Sequence, residues 1–261
     1  IQHVYSNKGI ATERSIMISI PTGFLNSASS YPVIFAFHGT SKDGYSAAQN
    51  MVNSNLEANS VIIAPVGGQA TDGRYSWNAN GETQEDDVNF VKSVWRALLQ
   101  DGRIDTARVY AYGHSVGASF LSNALLLDSN AGFIKGAICL SSTLLADKTL
   151  NTASQPLSMI IIHGEDDPLI PVDGGAAKFI NGAIQMGVNQ ATALWAEHNG
   201  CDGDYMSLVT SQYTKRYYPN CPAVVELYRL KNTDHDTVTA MRLLFNMSIA
   251  TFMLHKFSVE H

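Results

Sequence analysis

The sequence contains no apolar stretch long enough to cross a bilayer, which takes about 18 to 20 consecutive apolar residues. It also lacks clusters of like charge, because its 17 Lys and Arg and 23 Asp and Glu residues are mixed along the chain and give a net charge of −6. A nucleic-acid-binding stripe or a polybasic membrane anchor requires grouped basic residues. We therefore expect neither nucleic acid nor a membrane as a partner, but a small or neutral molecule.

The motifs that hold common cofactors are missing as well. There is no P-loop, no glycine fingerprint for a dinucleotide, and no pair of histidines with H-E-x-x-H spacing. We therefore expect no metal and no nucleotide cofactor.

Cysteine is scarce, with three residues in a chain of 261. Cys139 lies in the apolar run "FIKGAICLS", which is typical of a buried, unreactive thiol. Cys201 and Cys221 flank a polar, Tyr-rich stretch, and we predict a disulfide between them, with two unpaired thiols in a cytosolic protein as the alternative. The disulfide implies an oxidising compartment, so a secreted or periplasmic protein. The chain begins at Ile1 without an initiator Met, and we expect a processed or trimmed start.

The residues that are present indicate an α/β fold in one domain, 1–261, with no linker or repeat. An alternating pattern at 14–21 predicts an antiparallel strand with one solvated face. Short apolar runs predict strands covered on both faces, at 32–39, 60–65, 108–113, 133–141, 157–164 and 223–230. Helical spacing predicts helices at 83–102, 115–127, 173–186, 191–198 and 236–257. This alternation implies a mostly parallel central sheet with helices on both faces, and long loops at 65–83 and 199–222.

The segment "GHSVG" (113–117) fits the G-x-S-x-G pattern, which is a weak signal by itself. Here it follows a predicted strand and opens a predicted helix, the arrangement of a nucleophile elbow. The sharp turn needs Gly113 and Gly117 and would hold the hydroxyl of Ser115 above the sheet edge. An idle serine in a glycine-bounded turn is the alternative.

A serine hydroxyl needs a histidine to take its proton and a carboxylate to orient that histidine. Asp166 and Asp167 follow the predicted strand 157–164, and either is a candidate for the acid. His235 lies between the last strand and the C-terminal helix and is the candidate base, with His198 as its rival. The order Ser, Asp, His at three successive strand ends favours a triad.

The loop "FHGTSKDG" (37–44) follows another predicted strand and provides a second element of such a site. Backbone N–H groups of this loop and of the residue after the nucleophile stabilise the oxyanion in such a site. Thr40 and Val116 are therefore the candidate donors. We expect Gly39, His114 and Trp77 to contact substrate: Gly39 by close backbone approach, His114 from beside the serine with its ring turned away from the hydroxyl, and Trp77 by stacking.

The chain resembles an α/β-hydrolase of the secreted esterase group that contains feruloyl esterases, acetylxylan esterases and poly(3-hydroxybutyrate) depolymerases. Its motifs are a strand-end "HG", a Trp-Asn loop, a "DD" helix start, an "ID..RVY..G.S.GG" segment, an acid motif "HG..D..(V/I)P" and "W...NGC". They are matched here at His38, Gly39, Trp77, Asn78, Asp86, Asp87, Ile104, Asp105, Arg108–Tyr110, Gly113, Ser115, Gly117, His163, Gly164, Asp167, Ile170, Pro171, Trp195 and Asn199–Cys201. The match singles out Asp167 over Asp166 and supports the disulfide. Two positions depart from the family pattern, since Ala118 replaces a glycine and no Trp follows His235.

The resemblance implies a serine esterase that works through an acyl-enzyme, with feruloyl or acetyl esters of plant polysaccharide as substrates. A poly(3-hydroxybutyrate) depolymerase is an alternative within the group, and a serine peptidase or a non-catalytic binding module are alternatives of other classes. About 17 residues separate the strand ending at 141 from the next one, too few for a cap domain, so we expect an open cleft suited to a polymer. Four tyrosines of the long loops are further candidates to stack on substrate: Tyr205, Tyr213, Tyr217 and Tyr218. The oligomeric state is open, and a monomer is favoured.

Overall fold

The structure is a computed structural model that describes residues 1–150, 155–178 and 180–257. The strands, in chain order, are β1 (Gln2–Asn7), β2 (Ile10–Ser19), β3 (Tyr31–Phe37), β4 (Val61–Pro65), β5 (Gly68–Gln69), β6 (Tyr75–Ser76), β7 (Ile104–His114), β8 (Gly136–Leu140), β9 (Ser158–Gly164), β10 (Gly175–Ala176), β11 (Ile184–Gln185), β12 (Met206–Val209), β13 (Tyr213–Tyr217) and β14 (Val225–Leu230). The helices are α1 (Gly44–Asn53), α2 (Asp87–Leu98), α3 (Val116–Phe120, extended by one wider turn), α4 (Val188–His198), α5 (Thr237–Phe245) and α6 (Ile249–Phe257).

Ten of these strands form one sheet in the order β1-β2-β4-β3-β7-β8-β9-β14-β13-β12. The six central strands, β4 to β14 in that order, run parallel to their neighbours, while β1, β2, β12 and β13 are added antiparallel at the two edges. Because parallel strands end at the same edge, the loops after β3, β7, β8, β9 and β14 emerge together. The predicted apolar strands are therefore confirmed as the centre of the sheet.

Each face of the sheet carries its own core. Along β3, the side chains of Phe35 and Phe37 join the core beneath α2, α3 and α4, while those of Ile34 and Ala36 join the core beneath α1, α5 and α6. Successive side chains of a strand point to opposite faces, and helices cover both faces of this sheet, so all four side chains are fully buried. Burying one large apolar side chain stabilises the fold by about 1.5 to 3 kcal/mol, so both cores favour this doubly covered sheet.

The helix predicted at 83–102 is confirmed as α2. Asp86 caps its first turn by accepting a hydrogen bond from the backbone N–H of Asn89 at 3.0 Å. Its apolar face packs Phe90, Val91 and Val94 into the core. The helix begins where an acidic cap satisfies an otherwise unpartnered N–H group, as the sequence indicated.

Two helix predictions were wrong. Residues 173–186 contain the hairpin of β10 and β11 in place of a helix, because Gly174 and Gly175 have φ values of 92° and 136°, which a helix does not accommodate. The helix predicted at 236–257 is interrupted at Asn246, whose φ of 51° ends α5. In the described part of the chain no single helix is long and apolar enough to span a bilayer. Helices α5 and α6 together have the length and composition of a span, but they are bent by 64° relative to each other.

The stretch 199–222 is more ordered than predicted. It contains β12 and β13, which extend the sheet beyond β14. The predicted disulfide is confirmed, since Cys201 is bonded to Cys221, and Cys139 is buried as a free thiol. The disulfide lies near the amino ends of β9 and β14. Asn199, two residues before Cys201, accepts from the backbone N–H of Leu157 and donates to its carbonyl, directly before β9.

Candidate active site

Ser115 occupies the sharp turn between β7 and α3. Its φ of 56° and ψ of −124° are unusual for a residue with a side chain, and such backbone strain clusters at active sites. A Cβ atom on Gly113 would collide with the backbone of Gly117, and one on Gly117 would collide with the carbonyl groups of Phe37 and His38. The two glycines of the motif are therefore required by the close passage of three backbone segments.

His235 lies within hydrogen-bond distance of this serine. Its Nε2 atom is 2.8 Å from Oγ of Ser115, and its Nδ1 atom is 2.7 Å from Oδ2 of Asp167. Ser115 follows β7, Asp167 follows β9 and His235 follows β14, so three strand ends of the parallel sheet supply the three side chains. The structure brings together the three residues that the sequence selected.

Asp167 is held as a carboxylate. Its Oδ1 atom accepts hydrogen bonds from the backbone N–H groups of Leu169 and Ile170 at 2.8 and 3.0 Å. Burial alone would raise the pKa of Asp167, but hydrogen bonds from His163, His235 and the two amides outweigh it and bring the pKa well below its ordinary range. The negative charge is thus retained where it can orient an imidazole and stabilise its protonated form.

The loops that carry the acid and the base are joined by backbone hydrogen bonds. The N–H of Glu165 donates to the carbonyl of Leu230 at 2.9 Å, and the N–H of Asp166 donates to that of Thr233 at 3.0 Å. The side chain of Asp166 is exposed and makes no described contact with His235, whereas Asp167 has a side chain that is 0% exposed. Among the two candidate acids, the geometry selects Asp167.

His198, the rival base, ends α4 at the opposite side of the sheet. The residue after it, Asn199, hydrogen-bonds Leu157 next to the amino end of β9. Asp167, in contrast, follows the carboxyl end of that strand. His198 therefore lies away from Ser115.

His114 supports the base, and its predicted contact with substrate stays a prediction. Its Nε2 atom is 3.0 Å from the backbone carbonyl oxygen of His235, and the hydroxyl of Ser141 donates to the same oxygen at 2.8 Å. Burial lowers the pKa of His114, so the ring is neutral and donates one N–H. Ser141, at the end of β8, is a residue that the sequence analysis did not select, because a serine after a strand carries no distinctive signal.

The loop after β3 passes next to the nucleophile. A Cβ atom on Gly39 would lie 3.2 Å from Cβ of Ser115 and 3.3 Å from Nδ1 of His114. Val116 is the first residue of α3, and the first N–H groups of a helix have no acceptor within the helix. The backbones of Thr40 and Val116 are thus placed on two segments that border Ser115, as an oxyanion hole requires.

His38 ties this loop to the segment after β4. Its Nδ1 atom donates to the carbonyl of Gly39 at 2.7 Å, and its Nε2 atom accepts from the N–H of Gly67 at 2.9 Å. Burial lowers the pKa of His38 to about 4, so the ring is neutral and can make both bonds.

The expected stacking role of Trp77 was wrong. The side chain is fully buried, and it packs against Phe37 and Phe120. Its indole N–H donates to the carbonyl of His38 at 2.9 Å. A Trp in a polar loop is predicted from the sequence to be exposed, whereas here the loop folds inward over the core.

The hairpin tyrosines are also placed away from the site. Tyr217 pairs with Glu226, which in turn pairs with Ile160 near the amino end of β9, and Tyr218 continues in the same direction. Tyr205 contacts the ring of Tyr218. Tyr213 packs its ring on Tyr228 and Phe245 in the second core. None of the four is positioned to stack on a molecule bound at Ser115, because three lie toward the amino ends of the central strands and Tyr213 is held in the second core.

Two other aromatic side chains border the loop after β3. The backbone of Tyr75 exchanges hydrogen bonds with Ser41 at 3.0 and 2.7 Å, directly after Thr40. The ring of Tyr75 makes an edge contact with Tyr45, which is 45% exposed. Sequence reasoning missed this pair, because only the pairing of Ser41 with Tyr75 brings the two segments together.

The connections around the site are short. In the connection from β8 to β9, the described residues place Leu144 and Leu145 in the core and pair 144–146 with 184–186, with no inserted helical domain; 151–154 lie outside the described residues. In the part of the chain that the structure describes, no three His, Cys, Asp or Glu side chains are grouped as metal ligands. A reaction without a cofactor stays a prediction.

Parts of the chain are similar in sequence to known proteins. No protein-family model matches the chain. It is 24% identical over 199 residues to feruloyl esterase B of Piromyces equi, a match that covers 73% of this chain and 36% of that protein. It is 29% identical over 174 residues to feruloyl esterase C of Emericella nidulans, covering 62% of this chain and 58% of the relative. The match thus spans between one third and three fifths of the length of these curated relatives.

Comparison with solved structures concerns the fold alone. An S-formylglutathione hydrolase from Agrobacterium tumefaciens superposes with a TM-score of 0.53 at 11% identity, covering 94% of this chain and 92% of the other. The parallel sheet, the nucleophile elbow and the order of strand-end residues agree with this likeness. The chain therefore has the α/β-hydrolase fold and is related in sequence to the feruloyl esterases.

Proposed function

We propose that this chain is a serine hydrolase of carboxylic esters that acts through an acyl-enzyme. The observation that carries the proposal is the hydrogen-bonded series from Ser115 through His235 to Asp167, with distances of 2.8 and 2.7 Å. Such a series makes a neutral hydroxyl nucleophilic, which is the requirement for attack on an ester carbonyl.

The reaction proceeds in two acyl transfers. Nε2 of His235 takes the proton of Ser115 as Oγ attacks the ester carbonyl, and the backbone N–H groups of Thr40 and Val116 stabilise the oxyanion. The protonated imidazole then gives its proton to the departing alcohol, leaving an ester on Ser115. Water, deprotonated by His235, attacks that ester, and the imidazolium returns the proton to Oγ of Ser115 as the acid is released.

We propose feruloyl or acetyl esters of plant polysaccharide as substrates. Relatives named feruloyl esterase support the acyl group, and the short connection between β8 and β9 supports an open site that admits a polymer. Tyr45, exposed beside the loop of the proposed oxyanion hole, replaces Trp77 as the candidate contact for a phenolic ring. The disulfide between Cys201 and Cys221 supports a secreted or periplasmic location.

The test is a rate comparison on p-nitrophenyl acetate, methyl ferulate, acetylated xylan and a 3-hydroxybutyrate oligomer. We expect Ser115→Ala to lower kcat on the preferred ester by about 10⁴-fold or more. The matched control is Ser207→Ala, which changes an exposed serine on β12. Equal activity of Ser115→Ala and the unaltered protein would contradict the proposal, and a rate on peptides above that on esters would favour a peptidase.

A second measurement separates an inactive protein from an untested substrate. An organophosphonate should label Ser115 of the unaltered protein and leave Ser115→Ala unlabelled. Absence of labelling in the folded, unaltered protein would favour a non-catalytic binding module.

A further inference from the structure

A second imidazole lies against the acid of the site. Oδ2 of Asp167, which accepts from His235 at 2.7 Å, is also 3.3 Å from Nε2 of His163. His163 is the penultimate residue of β9, and its side chain is 0% exposed. One carboxylate oxygen is therefore shared between two histidines, while the other oxygen takes the two backbone amides.

The surroundings of His163 determine where its proton is. Nε2 is 2.9 Å from the carbonyl oxygen of Ile170 and 3.3 Å from the carboxylate of Asp167, and both are acceptors. Nε2 must therefore carry the hydrogen. Nδ1 is buried and has no hydrogen-bond partner among residues 1–150, 155–178 and 180–257. A hydrogen on Nδ1 would be a buried donor without an acceptor among these residues, so the contacts place the ring hydrogen on Nε2.

We propose that His163 is a positioning residue, which fixes the carboxylate of Asp167 toward His235 and withdraws part of its charge from that imidazole. The proposal rests on the proposed function. A histidine with a purely structural role would be satisfied by the carbonyl of Ile170 alone. Here the same N–H also faces the reacting carboxylate, so its removal changes the electrostatics of the base and not only the packing.

The other charged groups near Asp167 do not substitute for this donor. Arg229, which pairs with His163 in the strand register, directs its guanidinium to Glu165 and Asp173 at 3.2 and 3.1 Å. The connection after β14 also carries a cation, Lys231, whose ammonium donates to the carbonyl of Thr210 at 2.7 Å. The carboxylates of the two loops are Asp166, Asp234 and Asp236, and the ring of His114 holds the carbonyl of His235. The guanidinium of Arg229 is thus already engaged, and the Nε2–H group of His163 remains as the donor beside Oδ2 of Asp167.

Three substitutions distinguish positioning from packing. His163→Leu removes the N–H and keeps an apolar side chain of similar length. His163→Gln places its amide nitrogen at the position of Nε2, whereas the amide nitrogen of His163→Asn reaches only the position of Nδ1. Gln should therefore restore the N–H contact with the carboxylate of Asp167, and Asn, which is equally polar, should not.

The expected readout is the pH dependence of the ester reaction. Without the bond from His163, more of the carboxylate charge acts on the N–H of His235, which favours the protonated imidazole and moves the acid limb of kcat/KM to higher pH. We expect a shift of about half a unit to one unit in His163→Leu and His163→Asn, a kcat/KM lowered by about 3- to 10-fold at pH values below the acid limb, and KM within about twofold. His163→Gln should keep the acid limb of the unaltered protein.

The same prediction is tested without catalysis in a Ser115→Ala background. The ring-proton resonance of His235 is followed against pH by NMR, and its midpoint should rise in His163→Leu and His163→Asn but not in His163→Gln. If the unaltered protein hydrolyses no ester, the proposed function fails while this titration still decides the role of His163. Circular dichroism at each pH establishes that the variants are folded.

If His163→Leu does not fold, the Gln and Asn variants carry the comparison. Identical acid limbs and identical resonance midpoints in folded Gln and Asn variants would overturn the proposal. The proposal would also be overturned if the variants lost activity only because less of the protein is folded, while the pH profile of the folded protein stayed unchanged.

Discussion

The indole N–H of Trp77 donates a hydrogen bond to the backbone carbonyl of His38, 2.9 Å away, from a fully buried ring. His38 in turn donates to the carbonyl of Gly39, so the buried Trp is connected to the loop that carries Thr40. The residue that the sequence suggested for contact with substrate thus supports the loop of the proposed oxyanion hole from below.

We expect Trp77→Phe to lower the free energy of unfolding by about 1 to 3 kcal/mol, because the carbonyl of His38 loses its buried donor. The loop should also loosen, lowering kcat by up to about 100-fold. Trp195→Phe is the matched control, since Trp195 is equally buried but its N–H has no partner among the described residues. Urea unfolding and ester kinetics on both variants test this, and equal effects of the two would contradict it.

The adjacent carboxylates Asp166 and Asp167 provide a direct comparison within one loop. Asp167→Asn should lower kcat by about 10⁴-fold, because an amide can hold the wrong tautomer of His235 and cannot stabilise its charge. Asp166→Asn changes an exposed group that does not contact His235 and should leave kcat within about threefold. Steady-state kinetics on the preferred ester measure both, and a larger loss in Asp166→Asn would move the acid to that residue.

The low pKa of Asp167 also predicts how stability depends on pH. In the unfolded chain the pKa of an Asp is about 3.9, whereas the folded protein lowers the pKa of Asp167 and keeps it ionised to lower pH. The folded state therefore binds fewer protons, and the stabilisation from Asp167 is complete above about pH 5 and declines as the pH falls from about 4 toward the folded pKa.

The measurement is the free energy of unfolding of the unaltered protein and of Asp167→Asn in urea from pH 7 to pH 3. The difference between the two should shrink as the pH falls below about 4. Asp166→Asn should show no such narrowing. A difference for Asp167→Asn that is constant over the whole range would argue against a depressed pKa.

The disulfide lies near the amino ends of the central strands, and the site lies at their carboxyl ends. Reduction, or the double change Cys201→Ser and Cys221→Ser, should lower the free energy of unfolding by about 3 kcal/mol, because the loop it closes gains entropy in the unfolded chain. The kcat/KM of the folded protein should not change at temperatures well below Tm. Reductant added to the double variant serves as the control, and a loss of kcat/KM without loss of fold would place the hairpin at the site.

The exposed ring of Tyr45 should contribute to binding of an aromatic acyl group. Tyr45→Ala is expected to raise KM for methyl ferulate by about 3- to 10-fold, the equivalent of an aromatic contact of roughly 0.5 to 1.5 kcal/mol, and to leave KM for p-nitrophenyl acetate unchanged. Tyr205→Ala, an equally exposed tyrosine at the far hairpin, is the control. An equal rise for both esters would remove Tyr45 from acyl recognition.

The central strands, α2, Ser115 and His235 were predictable from local patterns, whereas the residues alone left Asp166 and Asp167 open and the resemblance to the esterase group singled out Asp167. Fully apolar runs require a sheet covered on both faces, and parallel strands place the residues after them at one edge. The helix predicted at 173–186 failed because the periodicity of its apolar residues was read without the positive φ angles of Gly174 and Gly175.

The sequence by itself determined the fold class, the elbow and the order of the strand-end residues, since spacing and residue type act through neighbours along the chain. Only the tertiary structure decided which side chains face the site. It buried Trp77, turned Tyr205, Tyr217 and Tyr218 toward the amino ends of the central strands, packed Tyr213 in the second core, and placed His163, His114 and Ser141 around the acid and the base. These contacts join residues far apart in the chain or on adjacent loops, and their geometry depends on strand register and loop path, which no local pattern encodes.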